Sequence, residues 1–274
     1  IGLSFLPIMA FGTGFMAVSM YALGKRARAL SAKHGAMTAP EMVFGQTGSK
    51  QAQKTMATVL VIATIPYLAL QPRAAGIVVS ALFGGPEWIG AVLVTILVVA
   101  YTLTGGLKAV VRTDLAQGLI ALMLLWVGLI LVVNDSGGLQ TAMDSLATSQ
   151  PDLLGREGFY TLLIWSSTLL LWFFADPMFP QLYQRLCAAE SDADIGFMAK
   201  AYPAIAWLAF LPPILIGALG HLEFSDLDRA GSDNILPMQI IESGGAWFGG
   251  LILVAGLAAL MSTMDSQLLA TGSL

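Results

Sequence analysis

A single cysteine, Cys187, stands in 274 residues, which excludes an internal disulfide framework and any metal centre built from clustered thiolates. The two histidines, His34 and His221, lie far apart near helix ends and read as loop histidines, since metal ligands come in clusters. Charge is scarce: 11% of residues are charged, against about 25% in a soluble domain. Thirteen basic and 17 acidic residues leave a net charge of −4, so nucleic acid is not an expected partner. A nucleophile, a base and an orienting group do not fall together in the sequence, so no enzyme is expected. Apolar runs fill the space instead. The chain is 57% hydrophobic with a mean hydropathy of +0.77, the composition of a polytopic all-α membrane protein. A secretory leader pattern is absent. The first residue is not Met and lies inside one apolar run, and the last lies inside another. The expectation is a piece of a longer protein lacking both ends.

A membrane-spanning helix needs about 20 mostly apolar residues. That criterion predicts seven spans, at 1–23, 55–83, 87–104, 110–133, 159–183, 197–221 and 246–272. The connections alternate in charge. Segments 24–54, 105–112 and 184–200 hold Lys25, Arg26, Arg28, Lys33, Lys50, Lys54, Lys108, Arg112, Arg185 and Lys200, ten of the 13 basic residues. Segments 84–86, 134–158 and 222–245 hold Arg156 and Arg229 against nine carboxylates, among them Glu157 and Asp233. The positive-inside rule then places the basic loops in the cytoplasm of a cell (inner) membrane, with Ile1 outside and the last helix running inward.

Several spans carry residues that a bilayer disfavours. The second has Pro66, Tyr67, Gln71, Pro72 and Arg73 near its middle. Proline removes a backbone hydrogen bond and kinks a helix, which membranes tolerate where the freed carbonyls line a cavity. Arg73 fits no loop, and snorkelling or pairing with a carboxylate would satisfy it. The fifth span reads WSSTLLLWFFADPMFPQLYQR. Asp176-Pro177 and Pro180 should interrupt it, and an interrupted span is the sequence pointer to a transporter binding site. In SDNILPMQIIE, Ser232 or Asp233 is placed to cap a short amphipathic helix.

The closing stretch AGLAALMSTMDSQLLATGSL puts Ser262, Thr263, Asp265, Ser266, Gln267, Thr271 and Ser273 into an otherwise apolar helix. A carboxylate at membrane depth faces a cavity or ion pathway, and oxygen-rich surfaces suit a hard alkali cation such as Na+.

Between the third and fourth spans comes YTLTGGLKAVVRTDLAQ, with Gly105-Gly106 at its turn and Asp114 and Gln117 entering the next span. This string closely resembles the signature of the sodium:solute symporter family. The AALMSTMDSQLLATGS stretch resembles that family's sodium-site helix, and Trp172, Pro180 and Arg185 keep the W-x7-P-x4-R spacing of its proline-type members. The resemblance implies a leucine-transporter-type fold of two inverted repeats and about seven transmembrane helices of a larger bundle. Residues 1–274 would be core helices 2 to 8, with core helix 1 and the C-terminal helices missing. It implies a sodium-coupled secondary active symporter for a small organic solute, an amino acid such as proline or a carboxylate, with no obligatory protein partner. By position the sodium site would be the Ala259 carbonyl with the hydroxyls of Ser262 and Thr263, which converge on one helical face. Some members bind a second cation, here with Asp114, Ser262, Asp265 and Ser266. Asp265 would strengthen that site, take a proton or pair with a base, and these alternatives stay open. Tyr67 and Trp172 match aromatic positions of the substrate site, with Gln71, Asp176 and Gln181 as nearby polar candidates. A transporter-like sensor module and a proton-coupled carrier are the competing functions.

Overall fold

The computed structural model describes residue 3 and residues 5–155, 161–228 and 231–274. Ile1, Arg156, Glu157 and Arg229 lie outside the described residues, as do the side chains of residues 10, 11, 13, 108 and 109. Among the described residues the chain forms α1 (Phe5–His34), α2 (Ala39–Thr47), α3 (Lys50–Phe83), α4 (Glu87–Asp135), α5 (Leu139–Ser149), α6 (Leu162–Ala175), α7 (Pro180–Cys187), α8 (Asp192–Glu223) and α9 (Ile235–Gly272). The protein is an all-α membrane protein. Among the described residues six helices or helix limbs are long and apolar enough to cross a bilayer, and a pair bent by 52°, Leu162–Met178 with Pro180–Cys187, brings the number to seven if the pair is one span.

Two of the helices bend at glycine. α4 passes through Gly106 at φ 62, ψ −177, and α9 passes through Gly245 at φ 68, ψ 172. This region of backbone space is open essentially to glycine alone. The Gly105-Gly106 turn is therefore a kink that joins Glu87–Leu107 to Val110–Asp135 without an intervening loop.

The connections are more helical than hydropathy predicts. Segment 24–54 is the end of α1, the whole of α2 and the start of α3. α2 is fixed by a capping box in which Thr38 Oγ1 accepts from the Glu41 N–H and Glu41 caps the Thr38 N–H. Ser191 and Asp194 make the same box at the start of α8. Segment 134–158 contains amphipathic α5, which buries Ala142 and Leu146. The expected cap at Ser232 or Asp233 does not form. Residues Gly231–Asn234 make a 3-10 turn, and α9 starts after Asn234 with no side-chain cap. Its first limb is not a free surface helix, because Ile235, Pro237, Gln239 and Ile240 are buried. Pro66 and Pro72 sit within an unbroken α3.

α9 packs most extensively on α4 and also lies along α3, while α1 packs on α8 and α6. Small residues permit the closest crossings. A Cβ on Gly76 would stand 2.4 Å from the Glu87 carbonyl oxygen, and one on Gly90 would stand 2.5 Å from Val79 Cβ, so α3 and α4 touch backbone to backbone. One apolar cluster joins Leu129 and Val132 of α4 to Ile216 and Leu219 of α8 and Ile252 and Leu253 of α9. A second joins Ala75, Val94, Val98 and Met264 where α3, α4 and α9 meet. The outer faces stay apolar and exposed: Trp88, Leu93, Ile96, Leu103, Leu115 and Met123 all point away from the bundle along α4. Water would penalise so large an apolar surface, whereas lipid solvates it.

Candidate functional site

The span that breaks does so for local reasons. α6 ends at Ala175, and a 3-10 turn covers Asp176–Met178. Phe179 precedes proline and is pushed out of the helical region, to φ −58, ψ 131. Pro180 then opens α7 at its first position, where a missing N–H costs nothing. The interruption expected from Asp176-Pro177 and Pro180 is thus present, and the two half-helices diverge at that point.

Beside the break lies a cavity of about 220 Å³. It is lined by Tyr67 of α3, Trp172 of α6, Asp176, Gln181 and Arg185 around the break, and Ser262, Thr263 and Ser266 of α9, with Tyr202 and Phe210 of α8 opposite. Tyr67 stacks on Phe179, with ring centroids 5.3 Å apart and planes within 15°. Of the substrate candidates, Tyr67, Trp172, Asp176 and Gln181 share this cavity. Gln71 does not line it, although it is buried one turn further along α3.

The hydroxyls of α9 face oxygen. Thr263 Oγ1 donates to the Ala259 carbonyl at 3.2 Å, the back-bond to the preceding turn that Ser and Thr commonly make within a helix. Ser262 Oγ donates to Asp114 Oδ1 at 2.5 Å, and Ser266 Oγ donates to Asp114 Oδ2 at 3.0 Å. The second-cation candidates Asp114, Ser262 and Ser266 therefore meet. Their counter-charge comes from the protein: Arg185 Nη2 donates to Asp114 Oδ2 and, at 2.7 Å, to Ser266 Oγ. Arg185 is thus no loop residue but turns inward from α7. Asp265 lies outside this hydrogen-bonded group. It is fully buried between α4 and α9, where Tyr101 Oη donates to its Oδ2 at 2.8 Å. Among the described residues no cluster of three or more His, Cys, Asp or Glu forms a metal site.

Arg73 pairs with Asp233 at 2.6 Å, tying α3 to the turn before α9. On the basic side, Arg28 pairs with Asp192 at 2.7 Å and joins α1 to α8. Sequence reasoning missed Phe179, Tyr202 and Phe210 as cavity walls, and Tyr101 and Arg185 as partners of the two carboxylates. Arg185 had one signal, its place in the W-x7-P-x4-R spacing.

A bundle of membrane-spanning helices with a polar-tipped cavity at a broken span is the architecture of a secondary transporter. The sodium:solute symporter family model matches residues 2–274, and the chain belongs to that family. These are symporters, not enzymes. The chain is 25% identical over 260 residues to the sodium/pantothenate symporter of Haemophilus influenzae, a match covering 94% of this chain and 53% of that protein. It is 28% identical to the monocarboxylate transport permease protein of Rhizobium johnstonii, over 91% of this chain and 50% of that protein. It is 29% identical to the sodium/proline symporter of Staphylococcus aureus, over 70% of this chain and 37% of that protein. The chain spans about half the length of the curated relatives it matches first. No solved structure matches it.

Proposed function

We propose that the protein couples the inward movement of Na+ to import of a small organic solute, as part of a leucine-transporter-type inverted-repeat bundle in the inner membrane. The observation that carries this reading is the shared cavity: Ser262 and Thr263 of α9 open onto the same space as the broken α6–α7 span. In this reading Na+ is held by the Ala259 carbonyl and the Ser262 and Thr263 oxygens, an all-oxygen set suited to a hard cation. Thr263 rotates its proton away from Ala259 and presents a lone pair when the ion arrives. A membrane potential, negative inside, contributes about 2.3 kcal/mol per charge per 100 mV to uptake. Coupling is reciprocal, so the solute raises Na+ affinity by the factor by which Na+ raises solute affinity.

Asp114 with Ser262 and Ser266 is the place for a second cation, in competition with Arg185. Asp265 is the best candidate for a proton site, because it is fully buried and its Oδ1 has no hydrogen-bond partner among the described residues. Residues 1–274 are read as core helices 2 to 8, with the basic segments 24–54, 105–112 and 184–200 cytoplasmic.

The test is sodium-dependent uptake by the full-length protein in proteoliposomes. Ser262→Ala and Thr263→Ala should each weaken apparent Na+ affinity about tenfold or more, the loss of about 1.4 kcal/mol or more, while the proteins remain folded. Wild-type sodium titrations in both variants would refute the assignment. Uptake driven by a pH gradient in sodium-free buffer, abolished by Asp265→Asn, would make the carrier proton-coupled instead.

A further inference from the structure

The central cavity has an unmet chemical demand. Asp176, the first residue of the 3-10 turn, is 4% exposed, and its Oδ1 accepts no hydrogen bond among the described residues. Gln181 Oε1, five residues on in α7, is likewise buried and unpartnered. Both residues line the same cavity. The guanidinium in that cavity does not satisfy Asp176, because Arg185 spends its Nη2 on Asp114 and Ser266. A carboxylate with an unfilled oxygen at membrane depth is costly, and such residues persist where an incoming group supplies what is missing. What is missing here is a hydrogen-bond donor, preferably a positive one.

The walls narrow the choice. Rings of Tyr67, Phe179, Trp172, Tyr202 and Phe210 surround the site. An organic ammonium gains from both the carboxylate and the rings. The volume of about 220 Å³ lies below the ~300–1,000 Å³ of pockets for drug-sized ligands.

We propose that the cavity selects a small solute bearing a protonated amine, of the amino- or imino-acid class, with its nitrogen donating to Asp176 Oδ1 and Gln181 Oε1. The inference rests on the transport reading, since it takes the cavity to be the solute site. It assigns Asp176 the specificity between amine-bearing solutes and simple carboxylates.

The experiment measures binding to the purified full-length protein at fixed NaCl, by tryptophan fluorescence and thermal shift. The probes are L-proline and L-alanine against L-lactate, propionate and pantothenate. The amines should bind, and the three acids, none of which carries a protonated amine, should be weaker by about 10- to 100-fold, the worth of one hydrogen bond to a charged group. Asp176→Asn should lose proline or alanine affinity by a similar factor while its thermal shift with Na+ stays that of the wild type. Gln181→Leu should lose several-fold, and with the wild-type panel it decides the matter if Asp176→Asn does not fold. Equal binding of lactate or pantothenate, or failure of both amines to bind, overturns the proposal. If sodium-dependent uptake of a carboxylate persists in that case, the symport reading survives and this inference alone falls. Loss of the sodium response in Asp176→Asn with proline binding retained would make Asp176 a cation ligand and also overturn it.

Discussion

Asp114 receives Ser262 on one oxygen, and Ser266 and Arg185 on the other. A sodium ion placed there would have to displace the guanidinium or share its charge. The carboxylate and both serines were named from the family resemblance, and spacing adds only that positions 262 and 266 are one turn apart on a helix and share a face. Arg185 was readable only as a motif residue. Spacing along a helix says which face a side chain occupies, but not which carboxylate across the bundle it meets. Asp265 illustrates the same limit. It neighbours Ser266 in sequence, yet lies about 100° round the helix and meets Tyr101 instead. Asp114→Asn should therefore strand Arg185 and destabilise the protein. Breaking a fully buried pair costs about 3–5 kcal/mol. The Arg185 side chain is 39% exposed, so about 1–2 kcal/mol is expected here after screening by solvent. Thermal unfolding in detergent measures it. The same variant should lower the Hill slope or the apparent affinity for Na+. If both match the wild type, Asp114 only pins α4 to α7.

At the scale of elements, the break between α6 and α7 was legible because proline acts on its own neighbours: Phe179 must leave the helix before Pro180 whatever surrounds it. The connecting helices were not legible. α2 and α5 are too short and polar to show in a hydropathy window, and α2 depends on a capping box of Thr38 and Glu41. The glycine pair in α4 was read as a turn, and the structure divides its two members. Gly106 takes the glycine-only conformation, whereas Gly105 has no positive φ and its side is exposed. No neighbour stands within 4 Å of a Cβ at Gly106, so backbone strain alone decides there. Gly106→Ala should cost about 1–3 kcal/mol. Gly105→Ala should be neutral or stabilise by up to about 1 kcal/mol, the propensity difference in a helix. Unfolding temperatures of the two purified variants give the comparison. Equal effects would mean that the kink does not depend on Gly106.

For the whole molecule, the charge asymmetry and the apolar shell make one argument. The segments that hold ten of the 13 basic residues are the α1–α2–α3 connection, the α4 kink and the stretch from α7 into α8, where Arg185 alone turns inward to Asp114. α5 and the turn before α9 belong to the acidic set. The leaflet that attracts Lys and Arg is the cytoplasmic one. Arg28 and Asp192 join α1 and α8 at the basic end, and Arg73 and Asp233 join α3 and the α9 turn at the acidic end. Exposed pairs of this kind are worth only about 0–1 kcal/mol each, so the fold does not depend on them. The orientation is testable with single cysteines, because the native Cys187 is buried and conservatively replaced by serine. In Cys187→Ser, Lys33→Cys at the end of α1 and Ser145→Cys in α5 both place an exposed thiol. A membrane-impermeant maleimide applied to intact cells should label position 145 and spare position 33 until the membrane is permeabilised. Labelling of position 33 alone in intact cells would invert the topology and put the basic segments outside, against the positive-inside orientation.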